Sequence, residues 1–273
     1  MFKHVILALA IAMTLTGCGS QFAYNNLSLI SAWYLDDYVE LTKAQKPLYK
    51  SRLEQLHTWH RQQELPEYRR LLIELRDHLN QDALDPVFLN QQVTAIRQRW
   101  QILLNQASPY LAELAVTLSD QQVDQLLRAL NTRNKTRLDE ADTPKEHRTE
   151  FVKRIEKWMG PLTQAQRQQV EAIADQHPDM TEMTVKAHRV FQTALGEQLH
   201  TRADTAFIER FTEQLKNPLA TSQGRVLQEA RRVRLTAHIE LYKQLWLSAS
   251  DQQRRQVRKR LQGYIDDIDA LIK

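Results

Sequence analysis

Several features common in proteins are scarce or missing in this chain. It has one cysteine and six glycines among 273 residues. A single cysteine excludes an intramolecular disulfide, so stability must come from packing alone. There is no glycine-rich phosphate-binding loop, and apolar residues never alternate with polar ones for long, which excludes an extended sheet. After residue 18 no apolar run is long enough to span a membrane.

The one long apolar run lies at residues 5–15, after a short basic start. It is too short for a permanent membrane span, but its length is typical of the core of a secretory signal. The run ends in the sequence LTGC at residues 15–18, which resembles a bacterial lipobox. The resemblance implies cleavage of a signal peptide at residues 1–17 and lipidation of Cys18. The alternative is an ordinary cleaved signal in which the cysteine is incidental.

The predicted mature chain starts with a short lipidated tether at residues 18–24. Gly19, rather than aspartate, follows the cysteine. By resemblance to enterobacterial lipoproteins, glycine at this position favours the outer membrane over the inner one. We therefore expect a lipid-anchored protein that faces the periplasm, with its body at residues 25–273. A polar stretch near residues 131–145 could divide that body in two.

The composition of the body is that of a helical protein, because Leu, Gln, Ala, Arg and Glu dominate it. New helices are predicted at Pro86, Pro109 and Pro144, each of which follows a capping residue. We predict an all-α fold, either a multi-helix bundle or an array of helical hairpins, that ends in a long pair of C-terminal helices. In the first helix of this pair, the residues predicted to face the core are Val226, Ala230, Val233, Ala237 and Leu241.

A short pattern, Leu-Thr-x-x-Gln or a close variant of it, occurs four times. Its capping residues and glutamines are Thr42 and Gln45, Ser119 and Gln122, Thr163 and Gln166, and Ser250 and Gln253. The pattern fits a capping box, in which the hydroxyl caps the helix and the glutamine reaches back to the capping residue. It also resembles the Leu-Thr-x-x-Gln motif of the Spy/CpxP periplasmic proteins, helical cradles that bind unfolded polypeptide or a sensor domain. We favour the capping interpretation.

Five aromatic residues lie between residues 22 and 38. Leu27, Ile30 and Tyr34 share one helical face, and Trp33 widens it. Close to a lipid anchor, such a stripe could lie at the lipid head-group boundary. Packing in the core is the interpretation that we favour.

His57, His60 and Glu64 are spaced so that one helix could carry three metal ligands. This spacing gives an alternative function, that of a metal-binding or hydrolytic envelope protein. Spacings of this kind often occur by chance, and the sequence shows no supporting residues around them. No catalytic triad can be assembled from the sequence. We therefore predict no catalytic residue, no bound metal and no cofactor.

The sequences WYLDDYVELT at residues 33–42, WHR at 59–61 and ELP at 64–66 resemble an uncharacterised family of proteobacterial lipoproteins. The resemblance runs through most of the chain and is densest before residue 68. It implies an envelope location and a helical fold, and it brings no activity. The candidate partner-binding residues in the densest region are Asp36, Asp37, Tyr38, Trp59, His60 and Glu64.

Basic residues are concentrated near the C-terminus. Ten lysines and arginines lie between residues 225 and 260, against three acidic residues. Because an exported protein does not meet nucleic acid, anionic lipid or glycan is the expected partner of such a surface. A solvated helix face is the alternative. The candidate residues for anionic-surface binding are Arg231, Arg234, Arg254, Arg255, Arg258 and Lys259.

Together these features predict a membrane-anchored periplasmic lipoprotein that acts as a non-enzymatic binding module. The expected partner is an envelope protein or polypeptide held between helices, and the role is chaperone-like. A metal-binding or hydrolytic protein that uses His57, His60 and Glu64 is the alternative.

Overall fold

The structure is a computed structural model that describes residues 18–81 and 84–273, with side chains from residue 21 onward. The predicted signal peptide, residues 1–17, lies outside the described residues. Within them the chain forms α-helices and one π turn and no β-strand, which confirms the all-α prediction. None of the helices in this part of the chain is long and apolar enough to cross a membrane.

The helices of the described residues are numbered in chain order. The first four are α1 (Cys18–Asn25), α2 (Leu27–Asp36), α3 (Gln45–Trp59) and α4 (Leu65–His78), with a π turn (His60–Glu64) between α3 and α4. The middle of the chain forms α5 (Pro86–Val116), α6 (Asp120–Asp139), α7 (Pro144–Met159), α8 (Gln164–Gln176) and α9 (Thr181–His200). The last three are α10 (Phe207–Lys216), α11 (Ser222–Leu247) and α12 (Asp251–Ile272).

The helices pack in pairs that join distant parts of the chain. Helix α5 packs chiefly against α10, α6 against α9, and α7 against α8. The two long C-terminal helices have different main partners, because α12 packs on α4 and α11 packs along α9. The largest core fills the space between α5, α6, α9 and α10, and a second core lies between α7, α8 and α11.

The four Leu-Thr-x-x-Gln copies join in two pairs. In the first pair, Gln45 and Gln122 each accept a hydrogen bond from the backbone N–H of their own capping residue, Thr42 or Ser119, at 2.9 Å. The two side-chain amides then bind each other, with Nε2 of Gln45 donating to Oε1 of Gln122 at 3.0 Å and the reverse bond at 2.8 Å. Each Nε2 also donates to a backbone carbonyl in the turn of its partner, at 2.7 Å in both directions.

Gln166 and Gln253 repeat this arrangement in the second half of the chain. Their reciprocal amide bonds measure 3.1 and 2.9 Å. Each also accepts from its own capping residue at 3.0 Å and donates to a backbone carbonyl near the other turn. The exposed fractions of the two residues are 1% and 6%. Capping boxes are present at Ser119, Thr163 and Ser250, which confirms the capping interpretation.

Helix α5 differs from the sequence prediction. The structure has one helix from Pro86 to Val116 with Pro109 inside it, where the sequence predicted a break. A proline inside a helix removes one hydrogen bond and costs about 3 kcal/mol. The hydroxyl of the buried Ser108 donates to the carbonyl of Leu104 at 2.6 Å. Leu104 is buried before the proline, and Ala112 and Ala115 after it pack in the large core. Packing therefore keeps the helix continuous.

We expect Gln122→Ala to destabilise the protein by about 2 to 3 kcal/mol. The substitution removes the hydrogen bonds that the side chain of Gln122 makes to the buried amide of Gln45 and to the backbone N–H of Ser119. Gln121→Ala, at the exposed neighbouring position, should change the free energy of unfolding little. Denaturant unfolding of residues 18–273 measures both. Similar values for the two variants would show that the amide pair does not stabilise the fold.

Candidate functional site

Residues from α1, α3, α4 and the π turn form a buried polar group, the junction cluster: Tyr24, His57, His60, Glu64 and Tyr68. The π turn places His60 and Glu64 on the inward side, with exposed fractions of 3% and 1%. π turns of this kind are frequent at functional sites. The junction cluster is therefore a candidate functional site.

His60 is held by aromatic neighbours. Its Nδ1 lies 2.9 Å from the hydroxyl of Tyr24, and its ring centroid lies 5.6 Å from that of Tyr68. Burial, with a smaller contribution from His57, lowers the pKa of His60 to about 4. The imidazole is therefore neutral at neutral pH. Burial also raises the pKa of Tyr68 to about 12, so its hydroxyl keeps its proton.

Glu64 is the buried acid of the junction cluster. Its Oε1 lies 3.5 Å from Arg99 on α5, and its Oε2 has no hydrogen-bond partner among the described residues. Burial raises the pKa of Glu64, and the charge of Arg99 opposes that rise. The charged partner of the Glu64 carboxylate is therefore Arg99, and not His57 or His60.

The contacts of the cluster fasten α1 to the body. Tyr24 is 2% exposed and packs with Leu65, Ile268 and Leu271. Arg61 donates to the side-chain oxygen of Asn25 at 2.6 Å, and its guanidinium lies 5.4 Å from the centre of the Tyr24 ring. The segment predicted as a tether is therefore helical and docked at its C-terminal end.

The described contacts do not favour a metal site at His57, His60 and Glu64. Among the described residues, no group of three or more His, Cys, Asp or Glu side chains is arranged to hold a metal ion. Nδ1 of His60 is occupied by Tyr24, and the ring of His57 packs on Tyr24 at 4.6 Å. None of these contacts supports the metal-binding or hydrolytic alternative.

A second feature, the aromatic cleft, lies between α2, α3 and α5. Its volume is about 150 Å³, and its walls are almost wholly apolar. Leucines line most of it. The aromatic residues that line it are Tyr34, Tyr38, Tyr49, Trp100 and Tyr110.

Polar groups of the aromatic cleft already have partners at its rim. The hydroxyls of Tyr34 and Tyr38 lie 2.8 Å apart. Nε of Arg52 donates to Glu113 at 2.6 Å, and its guanidinium lies 5.5 Å from the centre of the Tyr110 ring. Burial raises the pKa of Tyr34, so this phenol stays protonated. The interior of the cleft is left for an apolar group.

The structure separates the predicted partner-binding residues into two places. Tyr38 lines the aromatic cleft, and Asp36 and Asp37 are exposed next to it. His60 and Glu64 lie in the junction cluster, where the ring of Trp59 meets His60 edge-on. The contributions of α5 to the cleft were missed, because the sequence interpretation ended a helix before Pro109. The spacing of the apolar residues through positions 100–114 was the signal that could have shown them.

The profile of the family of unknown function DUF6279 matches residues 37–223, more than half of the chain. The chain belongs to DUF6279. No curated protein and no solved structure matches it. Membership confirms the expected uncharacterised family, while the lipoprotein assignment stays a prediction.

The DUF6279 match covers α3 and α5, which supply most of the aromatic cleft, and ends within the first turn of α11. The predicted basic residues lie beyond it. Arg254 and Arg258 lie over the ring of Trp246, at 5.4 and 5.7 Å from its centre, and Arg258 donates to the carbonyl of Leu79. Arg255 and Lys259 are exposed on α12.

The other two basic residues, Arg231 and Arg234, were predicted to belong to an exposed anion-binding surface, on the side of α11 away from its core stripe. Val226 and Val233 were predicted to face the core, but their exposed fractions are 53% and 48%. Leu227, one residue further along, is fully buried. The prediction was wrong for these two valines and right for Leu241, which is buried. The inward face of α11 also carries Arg231 and Arg234, which are half-buried.

One further apolar face is exposed on α1 and α2. The exposed fractions of Phe22, Leu29 and Trp33 are 67%, 71% and 72%. Backbone hydrogen bonds run through Asn26, so the two helices are nearly continuous and these three residues share a side. The interpretation of this stretch as core was right for Leu27, which is buried, and wrong for Trp33.

We expect His60 to reduce stability as the pH falls from about 6.5 to about 4, because the folded pKa is about 4 and an unfolded histidine titrates near 6.5. In that window the unfolded chain binds the extra proton, so the free energy of unfolding falls by up to about 1.4 kcal/mol per pH unit. Above pH ~6.5 the contribution of His60 is fully present. Denaturant unfolding across this range measures the slope.

The matched variants for this measurement are His60→Gln and His200→Gln. His60→Gln should lose this part of the slope, and His200→Gln, which removes an exposed histidine, is the control. Glu64, whose raised pKa acts in the opposite direction, is present in both variants and cancels in the comparison. Equal slopes in the wild type and His60→Gln would contradict a buried, neutral His60.

Proposed function

We propose that this chain is a lipid-anchored, non-enzymatic binding module on the periplasmic face of the outer membrane, which holds an apolar side chain of a polypeptide partner in the aromatic cleft. The observation that carries the proposal is the cleft, a cavity of about 150 Å³ with aromatic and leucine walls. No residue that lines it forms a catalytic group with a base or a metal ligand.

The size of the aromatic cleft supports a side chain as its occupant. Apolar cavities of about 150 Å³ stay dry and accept a ligand the size of benzene. Sites for larger ligands and cofactors usually measure about 300 to 1,000 Å³. One phenyl ring or branched alkyl group therefore fits, and burying it contributes about 1.5 to 3 kcal/mol to binding.

The surroundings of the cleft support a polypeptide rather than a free apolar molecule. Asp36 and Asp37 are exposed beside it and would attract a basic residue next to the bound side chain. Arg52 stands at the rim, where its guanidinium could bind a backbone carbonyl of the partner. The chaperone-like character rests on this cleft, since Gln45 and Gln122 of the Leu-Thr-x-x-Gln pattern are buried in the fold.

The exposed face of Phe22, Leu29 and Trp33 supports the membrane-anchored part of the proposal. It lies directly after Cys18, and large exposed apolar side chains on a helix are typical of a surface that meets the head-group region. Gly19 after the cysteine supports the outer membrane.

We expect Cys18→Ser to block lipidation and processing, because the thiol is the group that receives the lipid. The unprocessed chain should migrate more slowly in gel electrophoresis, and globomycin should produce the same shift in the wild type. Ser20→Ala, two positions later, should mature normally. Normal maturation of the Cys18→Ser chain would contradict lipid anchoring.

We expect Ala107→Phe to weaken binding of an unfolded polypeptide by about tenfold or more, because the new ring occupies the space that the partner's side chain needs. Ala107 lines the aromatic cleft, so the substitution fills it from α5. Fluorescence anisotropy with labelled, reduced and carboxymethylated α-lactalbumin measures the affinity of residues 18–273.

Gln98→Phe, on the exposed side of the same helix, adds the same ring outside the cleft and should leave the affinity unchanged. Circular dichroism should show equal helix content in both variants. If the wild type does not bind the unfolded polypeptide, or if filling the cleft has no effect, the proposed function is wrong.

A further inference from the structure

Three consecutive inward positions of α11 carry basic or titratable side chains. The inward face follows a spacing of four, three, four, three and four residues, which is the seam of a helix packed in a core. Its ends are apolar and buried, while its middle is Arg231, Arg234 and His238. The complete seam is Leu227, Arg231, Arg234, His238, Leu241 and Leu245. Polar residues at core positions mark sites that serve something other than stability.

The two arginines of this seam have no acidic group within ion-pair distance among the described residues. Neither Arg231 nor Arg234 forms an ion pair with any carboxylate of the described chain. Burial lowers the pKa of both side chains. The like charges of Arg234 and Arg97 lower the pKa of Arg231 further, whereas the charge of Asp179 partly opposes the shift at Arg234. A half-buried guanidinium without an acid costs free energy that a bound anion would recover.

Arg234 and His238 face a large cavity, the basic cavity, between α7, α11 and the residues after α4. Its volume is about 860 Å³. Helix α7 adds His147 and Arg154 to its lining. Much of the rest of the lining is apolar and includes Leu79, Met159 and Trp246.

The surroundings of His238 in the basic cavity are positive, because Arg234 and Arg154 lie near it. Burial lowers the pKa of His238 to about 4, and Arg234, His177, Arg154 and His147 each add to that effect. His238 is therefore neutral at neutral pH, and the positive charge in the basic cavity is carried by Arg154 and Arg234. Trp246 is 4% exposed, and its Nε1 has no hydrogen-bond partner in the described part of the chain.

The carboxylates that line the basic cavity are all on exposed residues at its rim. Glu150 is bound to Lys153 at 2.7 Å, and Asp179 accepts from the backbone N–H of Thr181 at 3.0 Å. Asp142 lies in the exposed loop before α7. None of the three forms an ion pair with Arg154 or Arg234 within the described residues.

We propose that the basic cavity binds an amphipathic anion, with a carboxylate or phosphate group at Arg154 and Arg234 and a hydrocarbon part against Leu79, Met159 and Trp246. Guanidinium groups bind both oxyanions through paired hydrogen bonds. The apolar part of the lining would bury the hydrocarbon chain of the ligand. This burial favours binding of an amphipathic anion over a simple inorganic ion, which has no apolar surface. This site goes beyond the proposed function, because it shares no lining residue with the aromatic cleft.

Isothermal titration calorimetry with residues 18–273 tests the site. Dodecyl phosphate and dodecanoate, used below their micellar concentrations, distinguish a phosphate from a carboxylate ligand. At least one of them should bind about tenfold or more tightly than both dodecyltrimethylammonium and inorganic phosphate. Equal binding of the cationic amphiphile, or of inorganic phosphate alone, would overturn the proposal.

Arg234→Gln and Arg154→Gln should each weaken binding of the tighter anion by about tenfold. Arg232→Gln is the matched control, since Arg232 is exposed on the same helix and already bound to Glu229 at 2.6 Å. Ala107→Phe, which fills the aromatic cleft, should bind the anion like the wild type. Loss of binding in that variant, or none in Arg234→Gln, would refute this site independently of the proposed function.

A stability measurement without ligand separates a binding role from a structural one. Arg234→Leu places an apolar side chain on the inward face of α11 and removes a half-buried charge that has no ion pair, so Tm should rise by about 2 to 4 °C. Arg232→Leu should not raise it. A lower Tm for Arg234→Leu would show that Arg234 serves the fold, and would overturn the proposal.

Discussion

A primary amide has two donor hydrogens and an acceptor oxygen, and leaving such groups buried without partners costs about 1 to 3 kcal/mol each. Gln45 and Gln122 meet this requirement together, because each amide uses both hydrogens and accepts twice. The pair fixes the turns before α3 and α6 to each other, although they are distant in sequence. Gln166 and Gln253 do the same before α8 and α12. Helices that begin or end at these turns line most of both cavities: α3 and α5 the aromatic cleft, and α7 and α11 the basic cavity.

Local rules predicted the helices and their caps, because a capping box depends only on residues three positions apart. They could not predict that two capping boxes would bind each other, because a four-residue pattern contains no information about which distant turn it will contact. The same limit explains Pro109, where tertiary packing outweighs a local helix breaker. It also explains α11, where an apolar stripe at Val226 and Val233 and a mixed stripe at Arg231 and Arg234 were both compatible with the helical period. The core is in fact on the mixed side.

Among the candidate residues that the sequence singled out, Tyr38 lines the aromatic cleft and His60 is buried in the junction cluster. The sequence did not show that these residues belong to separate places. The distance between them is set by how α2 and α5 pack on α3, which is a property of the whole fold. The two cavities also differ in kind. The aromatic cleft is small and apolar, and most of its lining lies in the region that matches DUF6279. The basic cavity is large, and its residues Arg234 and His238 lie on α11 beyond that region.

The docking of α1 determines how freely the body could move about any group attached at Cys18. A flexible linker of this length would allow the domain to tumble, but Tyr24 is buried only six residues after the cysteine, about 9 Å along a helix. The attachment point is therefore nearly rigid with respect to the domain. If it is fixed in a lipid surface, the domain has one preferred face toward that surface and loses most of its rotational freedom. A partner would then meet the cleft in a defined orientation, within a thin layer next to the bilayer.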